Sequence, residues 1–169
     1  MQADELKKLQ APLKEQYRHE PETALITLKA AGRINEGISC SVATAQAMVQ
    51  AGLHPATGGT GMLACSGDML LQALVACAGV TLNAVATAME INLKEGTIKA
   101  EGDLDFRGTL GVSKEVAVGF TAIRLSFVLD SDAEEEKLQK LIQLTERYCV
   151  VYQTIRSGTA VETVLQKNK

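Results

Sequence analysis

Two cysteines, Cys77 and Cys149, lie in apolar stretches of helical spacing, and thiol chemistry is the best lead this sequence offers. A thiol is the most nucleophilic common side chain near neutral pH, but only as its thiolate. Cys77 falls within Ser66-Gly67-Asp68-Met69-Leu70-Leu71-Gln72-Ala73-Leu74-Val75-Ala76-Cys77-Ala78-Gly79-Val80, and Cys149 within Thr145-Glu146-Arg147-Tyr148-Cys149-Val150-Val151-Tyr152. Two thiols on separate elements suit attack by one and resolution by the other. Each also has a bland reading, because free cysteine is often buried for packing alone. Cys40, alternating with core positions of a strand, reads as structural. Cys65 stands just before a helix start and reads as packed or exposed there. A zinc site from Cys40, His54 and Cys65 lacks the paired spacing such ligands use.

The chain that must position these thiols has 169 residues, enough for one domain with a real core. Its net charge of −3 gives no electrostatic case for nucleic acid or acidic membranes. Aromatic residues make up only 4%, which argues against base-stacking platforms. The first residues lack the basic, apolar, small-residue order of a signal peptide. Four cysteines without such a signal point to a reducing cytoplasm. Met69–Met89 has the length of a membrane span, but Gln72, Thr81, Asn83 and Thr87 interrupt it and no Lys/Arg cluster flanks it. It reads instead as a buried central helix whose alanines and glycine let other backbones approach closely.

Residues 1–20 form an N-terminal extension with a helical stretch at 4–18, where Leu6, Leu9 and Leu13 share a face and Pro12 limits regularity. From there residues 21–169 read as a single domain. A period of two over 24–30 predicts a strand, Gly32–Gly37 a hairpin loop, and Ile38, Cys40, Val42 and Thr44 one face of a returning strand. Residues 45–53 fit either a short helix or continued strand. The glycine-rich loop 54–61 lacks the ending of a phosphate cradle. Ser66 is expected to cap the central helix, with Asp68 favourably placed near its positive end and the helix running to about Asn92. Ile98, Ala100, Gly102, Leu104 and Phe106 alternate with Lys99, Glu101, Asp103, Asp105 and Arg107, and Ile123, Leu125, Phe127 and Leu129 repeat the pattern. Ser131 and Glu134 read as a capping box opening a second helix, continuous through Cys149 to Tyr152. Thr159–Leu165 reads as a last strand. Strands, long helix, strands, helix and strand make an α+β domain.

This order, with one cysteine midway along an Ala-rich helix and another about seventy residues later, resembles the OsmC/Ohr family from about Ala24 to Leu165. The motif residues are Met69–Cys77 and Glu146-Arg147-Tyr148-Cys149. The resemblance implies an OsmC-like fold, with antiparallel sheets wrapped around long central helices in an intertwined homodimer. It implies a thiol peroxidase acting on organic hydroperoxides at the subunit interface. Cys77 would attack, Cys149 would resolve, an external dithiol (lipoyl-type or small) would reduce the disulfide, and no metal or organic cofactor is needed. The family's thiolate-assisting arginine matches Arg33 best and Arg18 less well. Its glutamate, ten residues before the first cysteine, falls on Gly67, with Asp68 next to it. Nine residues of helix put Asp68 on the opposite face from Cys77 and about 13 Å away along the axis, so it can serve only from a partner subunit or a later helix start. Val150 also departs from the family pattern, where proline is common. The missing carboxylate match favours the alternative of a non-catalytic relative that binds a small hydrophobic ligand, whereas both cysteines and an N-terminal arginine favour the enzyme.

Overall fold

The computed structural model describes residues 3–35, 39–42 and 51–167; for residues 3–7, 9, 28–35 and 39–42 it describes the backbone alone. In chain order come α1 (Ala3–His19), β1 (Leu25–Asn35), β2 (Ser39–Val42), β3 (Ala51–Gly52), β4 (Ala64–Cys65) and α2 (Ser66–Ala88). They are followed by β5 (Glu95–Asp105), α3 (Phe106–Thr109), β6 (Ala122–Asp130), α4 (Glu135–Tyr148) and α5 (Val150–Ser157). Among the described residues one antiparallel sheet has the order β2-β1-β5-β6, and β3 pairs with β4 in a short parallel ribbon.

Alternation gives the sheet its two faces. Ile98 and Ala100 have essentially no exposed surface, whereas Lys99 is exposed. On the wet face Arg124 of β6 pairs with Asp103 and Glu101 of β5, and Thr27 donates to Asp103 at 2.7 Å. Arg124 and then Thr27 hold the Asp103 carboxyl well below the usual carboxylate range. The dry face carries α2, which packs on β1 and β5 and against α4 and α5. Leu71, Leu74, Val75, Ala78 and Leu82 of α2 meet Ile98, Ala100 and Leu141 in the main core. By length and composition α2 could cross a membrane, but here it is the core helix. A second cluster joins Tyr17 of α1 to Ala24, Phe106 and Leu110. Tyr17 donates to the Ala56 carbonyl at 2.7 Å, fastening α1 over the loop that follows β3.

Several expectations need correction. Gly32–Asn35 is not loop but strand, because Gly32 and Arg33 pair with β2 on one side and β5 on the other; residues 36–38 lie outside the described residues, as do 43–50 from the ambiguous stretch. Ser66 is the first helical residue rather than the cap, a place taken by Cys65 with no side-chain hydrogen bond. The helix stops at Ala88, not Asn92: Glu90 turns left-handed (φ 55) and the Ile91 N–H returns to the Ala86 carbonyl at 2.9 Å, a Schellman-type stop without glycine. Asp105 is not on the wet face. It is 4% exposed, chelated by Arg107, and caps α3, so Phe106 leaves the strand for the second cluster. Ser131 makes no capping box; its hydroxyl donates to Asn92 and accepts from Ala133, leaving Glu134 as the cap of α4. The strand expected at 159–165 is irregular and exposed, since no strand of the described residues lies beside it. The expected single helix through Tyr152 is broken at Cys149.

Candidate active site: two thiols at a helix break

α4 ends at Tyr148, Cys149 adopts an extended conformation (φ −72, ψ 109), and α5 starts again at Val150. The break is spliced by hydrogen bonds. The Cys149 N–H still donates to Thr145, its carbonyl accepts from Gln153, and the Gln153 side chain donates back to the Glu146 carbonyl at 2.8 Å. Buried Thr145, bonded to the Leu141 carbonyl, and Leu141 itself lock the last turns of α4 against α2. Cys149 acts as the cap of α5, its sulfur accepting from the Tyr152 N–H at 3.5 Å.

Across from this break, midway along α2, stands Cys77. Each thiol lies near enough to the other to influence its ionisation. Cys149 has no exposed surface, whereas Cys77 is half-buried. Burial pushes the Cys77 thiol up, but the Val151 amide, the Cys149 thiol, the Val150 amide and the Thr81 hydroxyl together bring it below the ordinary thiol value. Burial pushes Cys149 up to about 11, only partly offset by the Tyr152 amide, and the neighbouring Cys77 adds to the rise. The pair therefore shares its protons unequally, Cys77 ionising first while Cys149 donates its S–H. That is the division of labour needed for one nucleophile and one reserve thiol.

A cleft of about 530 Å³ lies between α2, β6, α4 and α5. It is lined by Leu74, Ile123, Leu125, Tyr152 and Ile155, together with Glu146 and Arg156. Neither sulfur lines it; Leu74 lies one turn before Cys77, and the backbone N–H of Tyr152 donates to Cys149.

The other residues singled out in the sequence lie elsewhere. Asp68 sits in the first turn of α2, its carboxyl raised by burial and drawn down by His54. It is not beside Cys77. His54 stacks on Phe106 with ring centroids 5.0 Å apart, and both line a separate, largely apolar cavity of about 420 Å³ with Cys65, Leu70 and Phe120. Arg33 occupies β1 between Ser41 and Thr97, and its side chain lies outside the described residues, as does that of Cys40. Arg18, the weaker arginine, pairs with Glu15 at 2.8 Å on the exposed side of α1. Sequence reasoning missed Thr81, noted only as a polar interruption of the apolar stretch, and the amides of Val150 and Val151. Thr81 stands one turn after Cys77, a spacing that could have drawn notice; the amides had no signal because no residue marks the break. Among the described residues no group of three or more His, Cys, Asp or Glu gathers to hold a metal ion.

Comparison with known proteins supplies the lineage. No curated protein sequence matches the chain. Among solved structures it is similar to an OsmC-like hydroperoxide resistance protein from Jannaschia sp. CCS1, with a TM-score of 0.58 and 15% identity over 86% of this chain and 94% of that one. It is also similar to an OsmC-like protein from Mycoplasma pneumoniae, with a TM-score of 0.55 and 20% identity over 78% and 85%. Both likenesses speak for the fold. The family model described as OsmC-like protein matches residues 59–164, which hold α2, β5, β6, α4, α5 and both thiols, so this chain belongs to the OsmC-like family.

Proposed function

We propose that this protein is a thiol peroxidase that reduces organic hydroperoxides. The observation that carries the reading is the contact between a half-buried Cys77 with lowered pKa and a buried, protonated Cys149. The similarity to a hydroperoxide resistance protein agrees with it. The Cys77 thiolate attacks one peroxide oxygen; the O–O bond breaks, the alkoxide takes a proton and leaves as alcohol, and Cys77 becomes a sulfenic acid. The Cys149 thiol then displaces that hydroxyl, forming the Cys77–Cys149 disulfide and water. An external dithiol, lipoyl-type or small, returns two electrons by exchange and is itself left as a disulfide.

The cleft suits the apolar part of such a substrate. A homodimer fits the exposed apolar residues Met62, Leu63, Leu70, Val80 and Val150. Within it Arg33 is the charged partner assigned to the thiolate, and Asp68 of the partner subunit is the carboxylate that would orient it. The setting is a reducing cytoplasm, consistent with free thiols at Cys65, Cys77 and Cys149.

The cleft also favours a second reading, a non-catalytic protein that binds a small hydrophobic ligand. Titration of the reduced protein with an alkyl hydroperoxide, counting free thiols by mass, separates the two. Loss of two thiols per chain that disappears in Cys77→Ser is expected of the enzyme. Reactivity no greater than that of free cysteine would leave only the binding protein.

A further inference from the structure

The cavity of about 420 Å³ at the start of α2 shares no lining residue with the cleft between α2, β6, α4 and α5. Leu53, Leu70, Leu104, Val118 and Phe120 give it apolar walls, and Cys65 also lines it. No Lys, Arg, Asp or Glu is among the described residues around it. The polar group best fixed there is His54. Its Nδ1 accepts from the Ala56 N–H at 3.1 Å, and its ring lies on Phe106 with the planes 15° apart. Its carbonyl accepts from the Thr57 N–H at 2.8 Å, the Thr57 hydroxyl at 2.9 Å and the Gly59 N–H at 3.1 Å. From outside, Tyr17 and Gln10 of α1 donate to the carbonyls of Ala56 and Thr57, so the turn that carries the ring is braced as well. The Nδ1 bond fixes the tautomer: with Nδ1 accepting, the neutral ring carries its proton on Nε2. Among the described residues that Nε2–H meets no acceptor.

We propose that this cavity is a second binding site, for a small, neutral, apolar carbonyl compound whose oxygen accepts a hydrogen bond from His54 Nε2. Each part of that description answers a feature of the walls. The apolar lining and the volume suit a small molecule with few polar atoms. A charged ligand would be taken out of water with no counter-charge beside it, which is costly. A pure hydrocarbon would cover the Nε2–H and leave it unpaired, whereas a carbonyl oxygen satisfies it. The ring is already immobilised by its turn and by Phe106, so little freedom is lost on binding. The site is independent of Cys77 and stands whether or not that thiol reduces peroxides.

Cys65, a half-buried thiol that lines the cavity, is the natural reporter. The reduced full chain is alkylated with iodoacetamide in the presence of acetophenone, or of ethylbenzene, which has a methylene in place of the carbonyl. Rates at Cys65 and Cys77 are followed by peptide mass. Acetophenone should slow Cys65 more than ethylbenzene does, with Cys77 unaffected. His54→Asn keeps a side-chain oxygen for the Ala56 N–H and puts no donor where Nε2 stood. It should cut the preference for acetophenone over ethylbenzene by about tenfold, the worth of one hydrogen bond. If His54→Asn does not fold, the imidazole NMR signals of the parent decide: acetophenone should move the His54 Nε2–H resonance downfield and ethylbenzene should not. A preference that survives His54→Asn, equal protection by both probes, or equal protection of Cys77 would overturn the site. So would a Cys65 that reacts only on dilution of the protein, since a second copy of the chain would then fill the cavity.

Discussion

The start and the middle of one helix each hold a cysteine, and the two differ in what surrounds the sulfur. At the start of α2, Cys65 stands at the N-cap, a place that general rules favour for a reactive thiol, yet it offers the helix no side-chain hydrogen bond. Around it are the His54–Phe106 stack, Leu70 and Phe120, a largely apolar wall. At the middle of α2, where the helix's own amides are all spent, Cys77 receives donors from a different element and from Thr81. The comparison teaches that a thiol's chemistry is set by donors aimed at it across the fold, not by its position on its own helix.

The contrast is most sharply broken by mutation of the sulfurs themselves. Cys77→Ser should abolish peroxide-dependent thiol loss, and Cys65→Ser should leave it intact; peroxide titration followed by mass would show the reverse if the N-terminal end were the reactive one. Cys149→Ser should stop the reaction one step later, with the sulfenic acid of Cys77 trapped by dimedone in place of a disulfide. Stability offers a further comparison. Leu141→Ala, under the thiol pair and fully buried, should cost about 2–5 kcal/mol in denaturant unfolding. At the other end Gly59→Ala would drive a methyl to within 1.7 Å of the Leu53 carbonyl oxygen, costing about 1–3 kcal/mol, with Cys77 chemistry spared.

Smaller effects separate the two thiols of the pair and the two clusters of the core. A thiol is alkylated only once it has lost its proton, so raising the pH should expose Cys77 to iodoacetamide below the ordinary thiol range, while Cys149 should resist until about pH 11. The sign follows from a lowered midpoint for the first and a raised one for the second; equal midpoints would end the division of labour. Tyr17→Phe, which removes the bond to Ala56, should cost about 1 kcal/mol in thermal unfolding and leave alkylation of Cys77 unchanged.

Local periodicity made much of this fold readable. The alternation at 98–104 and 123–129 announces strands with one dry face, and the apolar stretch of helical spacing around Cys77 announces the central helix, because both patterns repeat within a few residues. What escaped depends on contacts far away in sequence. Glu90 ends α2 in a conformation usually left to glycine, and nothing in its type says so. Asp105 reads as a solvent charge until Arg107 and the start of α3 bury it. The alternation at 159–165 looks like a strand, but pairing needs an edge as well as a pattern. The two sulfurs were legible as residue types at helical spacing. Their setting was not, because the Cys149 break carries no glycine or proline and is held by Thr145, Gln153 and the packing against α2.

The complete burial of Cys149 has a kinetic consequence for any bond that joins it to Cys77. An incoming reductant meets the sulfur of Cys77 first, yet attack there must expel Cys149, the more basic thiol and hence the slower leaving group. Attack from the other side would release the better leaving group, but that sulfur lies under the core. The oxidised pair is thus a latch that shuts more easily than it opens, and the pace of the cycle falls to whatever delivers a proton to the inner sulfur as the latch is sprung.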